Sequence, residues 1–425
     1  YQACTRSVKK QTPVLESRIP IVILVMPSFA SLPPLSLYVH LPWCVRKCPY
    51  CDFNSHAARG EIPEQAYVDA LLRDLESELP RIEGRTVETI FLGGGTPSLF
   101  SPESIACLLA GIRERVALAS GAEITFEANP GTVDTERFRG FRDAGVNRLS
   151  IGIQSFDDDK LKTLGRIHGR AEALRAAQAA RAAGFGNFAD RTEARAARQG
   201  RRDCGFNLDL MFGLPGQTLE QALTDVRVAI AQQPTHLSVY QLAIEPNTLF
   251  HAKPPVLPDD DAIWDMQQAL QTELTSAGFR QYEVSAYAQP GFECRHNLNY
   301  WQFGDYLGIG AGAHGKLTHV DTITRRWKLK RPEDYSSKAG TPTAIGGEQR
   351  LTHADIIAEF MLNALRLTNG FPTALFTERT GLALDAVEAS LRHAEQRDFI
   401  ARNATAIRPT EQGRRFLNNL IELFI

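Results

Sequence analysis

The chain has 425 residues, 43% of them hydrophobic and 23% charged, the balance of a globular protein with material for more than one domain. A net charge of −2 gives no overall case for a nucleic-acid partner or for binding an acidic membrane surface. Seven cysteines, an odd number with three clustered, point to a reducing compartment and a metal centre rather than a disulfide framework.

Residues 1–25 carry a basic piece (Arg6, Lys9, Lys10) and then the apolar run Ile19–Val25. That run is far short of the ~20 residues needed to span a bilayer, and Pro20 interrupts it. Residues 1–34 are therefore expected to be a disordered tail, or non-native sequence upstream of a start at Met26, with nothing functional before Leu35.

From Leu35 short apolar strands alternate with amphipathic helices. Leu35–Leu41 reads as a strand that runs into the cysteines. Glu64–Leu79 has helical spacing and is expected to stop at Pro80. Val87–Leu92 is the next strand, ending in Gly93-Gly94-Gly95-Thr96-Pro97. Ser101-Pro102-Glu103 opens a helix with an N-cap and a proline at its first position. Ile124–Ala128 is a third strand, and a helix from Thr135 leads to a fourth, Arg148–Gln154. Helical material over Asp157–Ala183 precedes the strand Asn207–Phe212. A helix from Leu219 precedes the last of this series, His236–Ile244. Six such units without hairpin signals predict a parallel α/β architecture, an incomplete (β/α)6 barrel over residues 35–245.

Ala189–Gly205 does not fit that alternation. It has five arginines and no large apolar residue. It reads as a solvated insertion rather than an RNA-contacting loop, with Cys204 not a ligand. Beyond residue 245 the alternation ends. A helix over Ala262–Ala277, a short strand at Gln281–Ser285, the run Cys294–Trp301 and a glycine-rich stretch fill residues 246–345. Residues 346–425 read as helices with a pair of short strands in Phe399–Pro409, a mainly helical, winged-helix-like domain.

The chemistry concentrates in Cys44, Cys48 and Cys51. Spacings of three and two residues put three thiols on one loop, which suits an iron–sulfur cluster held by thiolates with one iron left open. A closed zinc site would need a fourth Cys or His, and neither His40 nor His56 forms a usual pairing with the triplet. Tyr50 either packs or covers a flat ligand on the open iron. The glycine run at a strand end allows close backbone approach to a ligand, and without a Lys-Ser/Thr ending it is not a phosphate loop. Glu127, Gln154, Arg166 and Asp209 are polar groups in or after apolar strands, placed to line one mouth. His296, in His296-Asn297-x-x-Tyr300-Trp301, is either a hydrogen-bonded packing residue or a ligand.

Taken together, Cys44-x3-Cys48-x2-Cys51, Gly93–Pro97 and Phe126-Glu127-Ala128-Asn129-Pro130 resemble the radical S-adenosylmethionine (SAM) superfamily. Leu37–Cys44, Ile151–Ser155, Leu164-Gly165-Arg166 and Asp209–Gly216 are similar to its branch containing oxygen-independent coproporphyrinogen III oxidases and HemW-like haem chaperones. The resemblance covers residue 35 to the C-terminus. It implies a [4Fe-4S] cluster on Cys44, Cys48 and Cys51, with SAM chelating the open iron and receiving an electron at its sulfonium. It implies SAM contacts at Tyr38, Gly94, Gly95, Thr96, Glu127, Gln154, Arg166, Asp209 and Ala243, with Tyr50 beside the cluster. The oxidases carry a further cysteine where this chain has Phe53, and the His296-Asn297-x-x-Tyr300-Trp301 motif is typical of the chaperone-like members. The resemblance therefore implies a cytoplasmic haem chaperone, with His296 as a haem contact and haem as cargo. Its partners would be apo-haemoproteins such as respiratory enzymes and an electron donor for the cluster, with no nucleic acid. Peripheral membrane contact and a homodimer stay open, and oxidative decarboxylation of coproporphyrinogen III is the alternative activity.

Overall fold

The computed structural model describes residues 27–186 and 205–425. The expectations for residues 1–26 and for most of the arginine-rich insertion lie outside the described residues.

Six parallel strands form the centre: β1 (Leu35–Leu41), β2 (Val87–Gly94), β3 (Leu118–Ala128), β4 (Arg148–Gln154), β5 (Gly205–Phe212) and β6 (His236–Gln241). β1 is buried on both faces, with Leu35, Leu37, Val39 and Leu41 each no more than 1% exposed. Its other face carries Ser36, Tyr38 and His40, of which Ser36 and His40 are buried as well, so the strand is covered on both sides while only one side is aliphatic. Each fully buried Leu or Phe of this layer contributes ~1.5–3 kcal/mol of burial free energy.

The first helix, α1 (Glu64–Ile82), packs Tyr67, Val68, Leu71 and Leu75 onto the sheet. It does not stop at Pro80. The proline sits in the last turn, where it forfeits a single i→i−4 hydrogen bond, and Ile82 beyond it is buried. The helix ends one residue later at Glu83, which is left-handed (φ 50°). The helical stretch after Asp157 is two helices, Asp158–Thr163 and Arg170–Ala182, with Arg166 in the loop between them.

Both edges of this six-stranded sheet are extended by further strands, mostly antiparallel, that the sequence reading largely missed. On one side β7 (Arg280–Glu283) and β8 (Ala286–Ala288) add to β6. On the other, β9 (Asp305–Ile309) pairs parallel with β1, and β10 (His314–Thr318), β11 (Ile323–Lys328) and β12 (Ile345–Arg350) follow antiparallel. The order is β12-β11-β10-β9-β1-β2-β3-β4-β5-β6-β8-β7. The added wing is fixed by buried ion pairs: Lys316 reaches Asp305 at 3.0 Å, and Lys328 reaches Asp74 and Glu78 of α1 at 2.6 Å each.

The C-terminal region has its own core, built on Ile356, Phe360, Phe376, Leu391, Ile407 and Leu420. Its three-stranded ribbon joins β13 (Phe371–Pro372), β14 (Ile400–Arg402) and β15 (Ala406–Pro409) to flanking helices, the winged-helix-like arrangement expected. The tail was expected to reach residue 34, but its last part is built into the fold. Phe29 packs into this second core, and the Ser28 amide donates to the Gly381 carbonyl at 3.2 Å. Among the described residues no helix is long and apolar enough to cross a membrane.

Candidate functional site

The C-terminal ends of the parallel strands open into a cavity of about 610 Å³. The cysteine loop that leaves β1 forms one wall. It is stapled to the glycine turn after β2 by backbone bonds from the Gly95 amide to the Leu41 carbonyl (2.8 Å) and from the Thr96 amide to the Trp43 carbonyl (2.7 Å). Gly94 has φ +114°, and a side chain there would run into the His40 imidazole, so only glycine allows the approach. His40 is held through both ring nitrogens, by the Tyr38 hydroxyl (3.0 Å) and the Asn54 carbonyl (2.9 Å). Burial lowers its pKa to about 4, which keeps the ring neutral, and with both nitrogens engaged it braces the loop from beneath.

All three thiols face this cavity. Thr96 Oγ1 donates to Cys44 Sγ at 3.5 Å, Arg166 Nη1 to Cys48 Sγ at 3.8 Å, and Cys51 Sγ lies 3.7 Å from Ser55 Oγ. Burial pushes the Cys44 and Cys51 thiols up. Hydroxyl and guanidinium donors aimed at sulfur favour the thiolate form that an iron cluster requires. Among the described residues no three Cys, His, Asp or Glu side chains converge to hold a single metal ion.

The polar residues expected at the strand ends meet here. Glu127 of β3 accepts the Gly94 amide at 3.0 Å; burial first, then the nearby Asp209 carboxylate, push its pKa up to about 7. Asp209 of β5 accepts from Asn207 Nδ2 (2.7 Å) and Ser150 Oγ (3.0 Å), and burial raises it too. Gln154 ends β4 with a left-handed backbone (φ 64°), a costly conformation for a non-glycine residue. It aims Nε2 at the Tyr240 hydroxyl at 3.3 Å, while its buried Oε1 has no partner. Arg166 is held by the Gly152 carbonyl at 2.7 Å. Around the glycine turn the cavity offers the Glu127 and Asp209 carboxyl groups, the Arg166 guanidinium and an orphaned amide oxygen, which together suit a small zwitterionic ligand carrying positive charge.

Gly94, Gly95, Thr96, Glu127, Gln154, Arg166, Asp209, Ala243 and Tyr50 all line the cavity. Tyr50 also packs on Phe250, ring centroids 6.5 Å apart. Tyr38 is not in the wall. It supports His40 and stacks on Phe91 at 6.2 Å. His296 is not in the wall either. It is 1% exposed, bonded through Nδ1 to Thr89 Oγ1 at 2.8 Å, and sandwiched between the rings of Phe91 and Tyr300, each 5.0 Å away. Burial lowers its pKa to about 3.

Sequence reasoning missed the inner end of the cavity, where Cys294, Asn297 and Trp301 from the helix Arg295–Trp301 meet Glu283 and Arg366. Glu123 of β3 caps that helix: its carboxylate accepts the Cys294 thiol (3.4 Å) and the amides of Arg295 (3.2 Å) and His296 (3.0 Å). The Arg366 guanidinium bonds Glu283 at 3.0 Å and lies 4.4 Å from the centre of the Trp301 ring. Trp301 was within reach of the motif reading. Arg366, alone in a C-terminal loop, carried no local signal.

Residues 38–229 match the Radical SAM superfamily, and residues 351–416 match the HemN C-terminal domain. The chain is 50% identical over 395 residues to the heme chaperone HemW of Escherichia coli (strain K12), covering 93% of this chain and 99% of that protein. It is 51% identical over 399 residues to the heme chaperone HemW of Haemophilus influenzae, covering 93% and 98%. Among solved structures it is similar to the coproporphyrinogen III oxidase HemN from Escherichia coli, with a TM-score of 0.75 and 23% identity over 92% of this chain and 90% of that one. The last likeness, at that identity, establishes the fold.

Proposed function

The chain belongs to the family of heme chaperones named HemW within the radical SAM superfamily, and from that premise we propose that it is a haem-binding protein that delivers haem to apo-proteins such as respiratory enzymes. In this reading Cys44, Cys48 and Cys51 hold a [4Fe-4S] cluster, and SAM occupies the cavity beside it. When bound, the pair supplies one-electron chemistry at the SAM sulfonium. Glu127 and Asp209 face the cationic ligand, the glycine turn lets its backbone approach, and Arg166 fixes the loop that carries Cys48. The protein works in the cytoplasm, where its thiols stay reduced, and takes electrons from a donor at the cluster side.

The observation that carries this proposal is the meeting of three thiols with the Gly94–Glu127 unit on one cavity wall. His296, sealed behind Phe91, is given a packing role. Phe53, 60% exposed at the cavity mouth, stands where the related oxidases have a cysteine. The deciding experiment is anaerobic incubation of the reconstituted chain with SAM and a reductant, once with haem and once with coproporphyrinogen III. Stable haem binding without porphyrinogen turnover is expected; formation of protoporphyrinogen would replace this reading with the oxidase.

A further inference from the structure

The loop that carries the three thiols has an outer side of its own character. Residues 44–59 hold Arg46, Lys47 and Arg59 against a single acidic residue, Asp52, and all four are exposed. Arg46 donates to the Gly165 carbonyl, and Lys47 to the Phe53 carbonyl at 3.0 Å, so both bond backbone rather than a carboxylate. Apolar side chains stand among these charges: Val45, Phe53, Ile167 and Leu249 are 42–60% exposed. Val45, Phe53 and Ile167 edge the mouth of the cavity. Ile167 lies two residues beyond Gly165, where any side chain would meet Pro49 of the loop. Leu249 opens the short helix Leu249–Ala252, whose Phe250 amide donates to the Pro49 carbonyl at 3.0 Å. The four apolar side chains thus surround the cysteine loop.

The presentation of Phe53 is fixed. Its carbonyl accepts the Lys47 ammonium and the Ser55 amide (2.7 Å), and the Asn54 side chain bonds the carbonyls of Ala311 and Lys330 at 2.9 Å each. A phenyl ring held out to solvent by a pinned backbone is an apolar contact with little ordering left to do. Val45, Arg46 and Lys47 lie between Cys44 and Cys48, and the thiols are only half-buried, so whatever covers this rim sits against the cluster loop. A few apolar side chains rimmed by cations match the small, electrostatically steered contacts of redox partners, which bury less than about 1,200 Å². Resting on the reading above, in which the cluster takes electrons from a donor, we propose that this rim is the donor's docking surface. The occupant is a small acidic protein carrying a flavin. Lys47 and Arg59 face its carboxylates, and Phe53 meets the apolar edge of the flavin. The reduced flavin gives up one electron, the oxidised cluster gains it, and no bond in this chain forms or breaks.

The test is stopped-flow reduction of the reconstituted cluster by a reduced flavodoxin, followed through the cluster absorbance, in wild type, K47E/R59E and F53S. The wild-type rate should fall steeply with added salt. K47E/R59E should slow it about tenfold or more and lose most of the salt dependence, whereas F53S should slow it several-fold and keep that dependence. Reduced methyl viologen, a small cation, should reduce both variants at least as fast as wild type, and their iron and sulfide content should match it, which separates docking from damage to the cluster. Should K47E/R59E fail to hold a cluster, F53S and the salt dependence of wild type decide the matter. A wild-type rate insensitive to salt, or unchanged flavodoxin rates in the variants, would overturn the docking assignment and leave the carrier function standing. Loss of variant binding to phosphatidylglycerol vesicles would then give the rim to a membrane surface. A wild-type chain that takes up no cluster would remove both.

Discussion

Glu127 and Gly94 form one unit: the carboxylate of β3 accepts the backbone amide of the glycine turn at 3.0 Å in a part-buried setting at the cavity wall. The turn that approaches the ligand is thus positioned by the same group that offers it negative charge. With a folded pKa of about 7 against the ordinary 4.5, Glu127 keeps its proton in the empty protein through the pH range where the unfolded chain has lost it. The folded state then binds more protons than the unfolded one between those values, so stability falls as pH rises from 4.5 to 7. Glu127→Gln keeps an acceptor for Gly94 and removes this loss. The ligand-free variant should be more stable than wild type at pH 8, by up to ~3 kcal/mol, and equal to it near pH 4. Denaturant melts at the two pH values measure the difference, and equal melts at pH 8 would contradict a protonated Glu127.

A cationic ligand in the cavity should pull the Glu127 proton off. SAM binding near pH 6 is expected to release up to about one proton, and binding to Glu127→Gln fewer. Calorimetric titrations in buffers of different ionisation enthalpy read the proton count directly. A count unchanged by the substitution would place the titrating group elsewhere.

Replacing any of Cys44, Cys48 or Cys51 by Ala should abolish the brown iron–sulfur absorbance after reconstitution, while Cys294→Ala should retain it. Cys294 donates to Glu123 at the far end of the cavity and has no place among the cluster thiols. Iron and sulfide content of the four variants is the measurement, and a colourless Cys294→Ala protein would sink the assignment.

Glu123→Ala should destabilise the chain by ~2–4 kcal/mol, because it strands two buried helix amides and a thiol at once. Glu123→Gln, which keeps acceptor oxygen, should cost less. Thermal melts of both variants separate capping from simple loss of side-chain volume.

Arg366→Leu should cost ~3–5 kcal/mol at neutral pH, since it leaves Glu283, 3% exposed, without its cation. The double variant Arg366→Leu/Glu283→Leu should recover much of that loss. A double-mutant cycle on denaturation midpoints tests this, and additive effects would show that the two side chains are energetically independent.

The parallel strands and the cysteine loop were legible because their signals are local. Leu35–Leu41 is an apolar run long enough for a buried strand, and three cysteines within eight residues need no distant partner to be read. The antiparallel wings were not legible. Asp305–Ile309 becomes a buried strand because Lys316 of the next strand and Arg85, distant in sequence, neutralise Asp305. The surroundings of His296 were not legible for a similar reason. Its spacing to Tyr300 and Trp301 fixes a helix, yet which of the three faces the cavity depends on Glu123 capping that helix from β3 and on Phe91 standing in between.

The pairing of β1 with both β2 and β9 has a bearing on how the chain is made. One edge of β1 is satisfied as soon as residue 94 has been synthesised, while the other waits for Ile309. At ordinary translation speeds that interval is on the order of 10–40 s. Throughout it the strand that leads into the cluster loop presents an open edge to other nascent chains. Protection of that edge during synthesis is therefore a demand set by the topology itself.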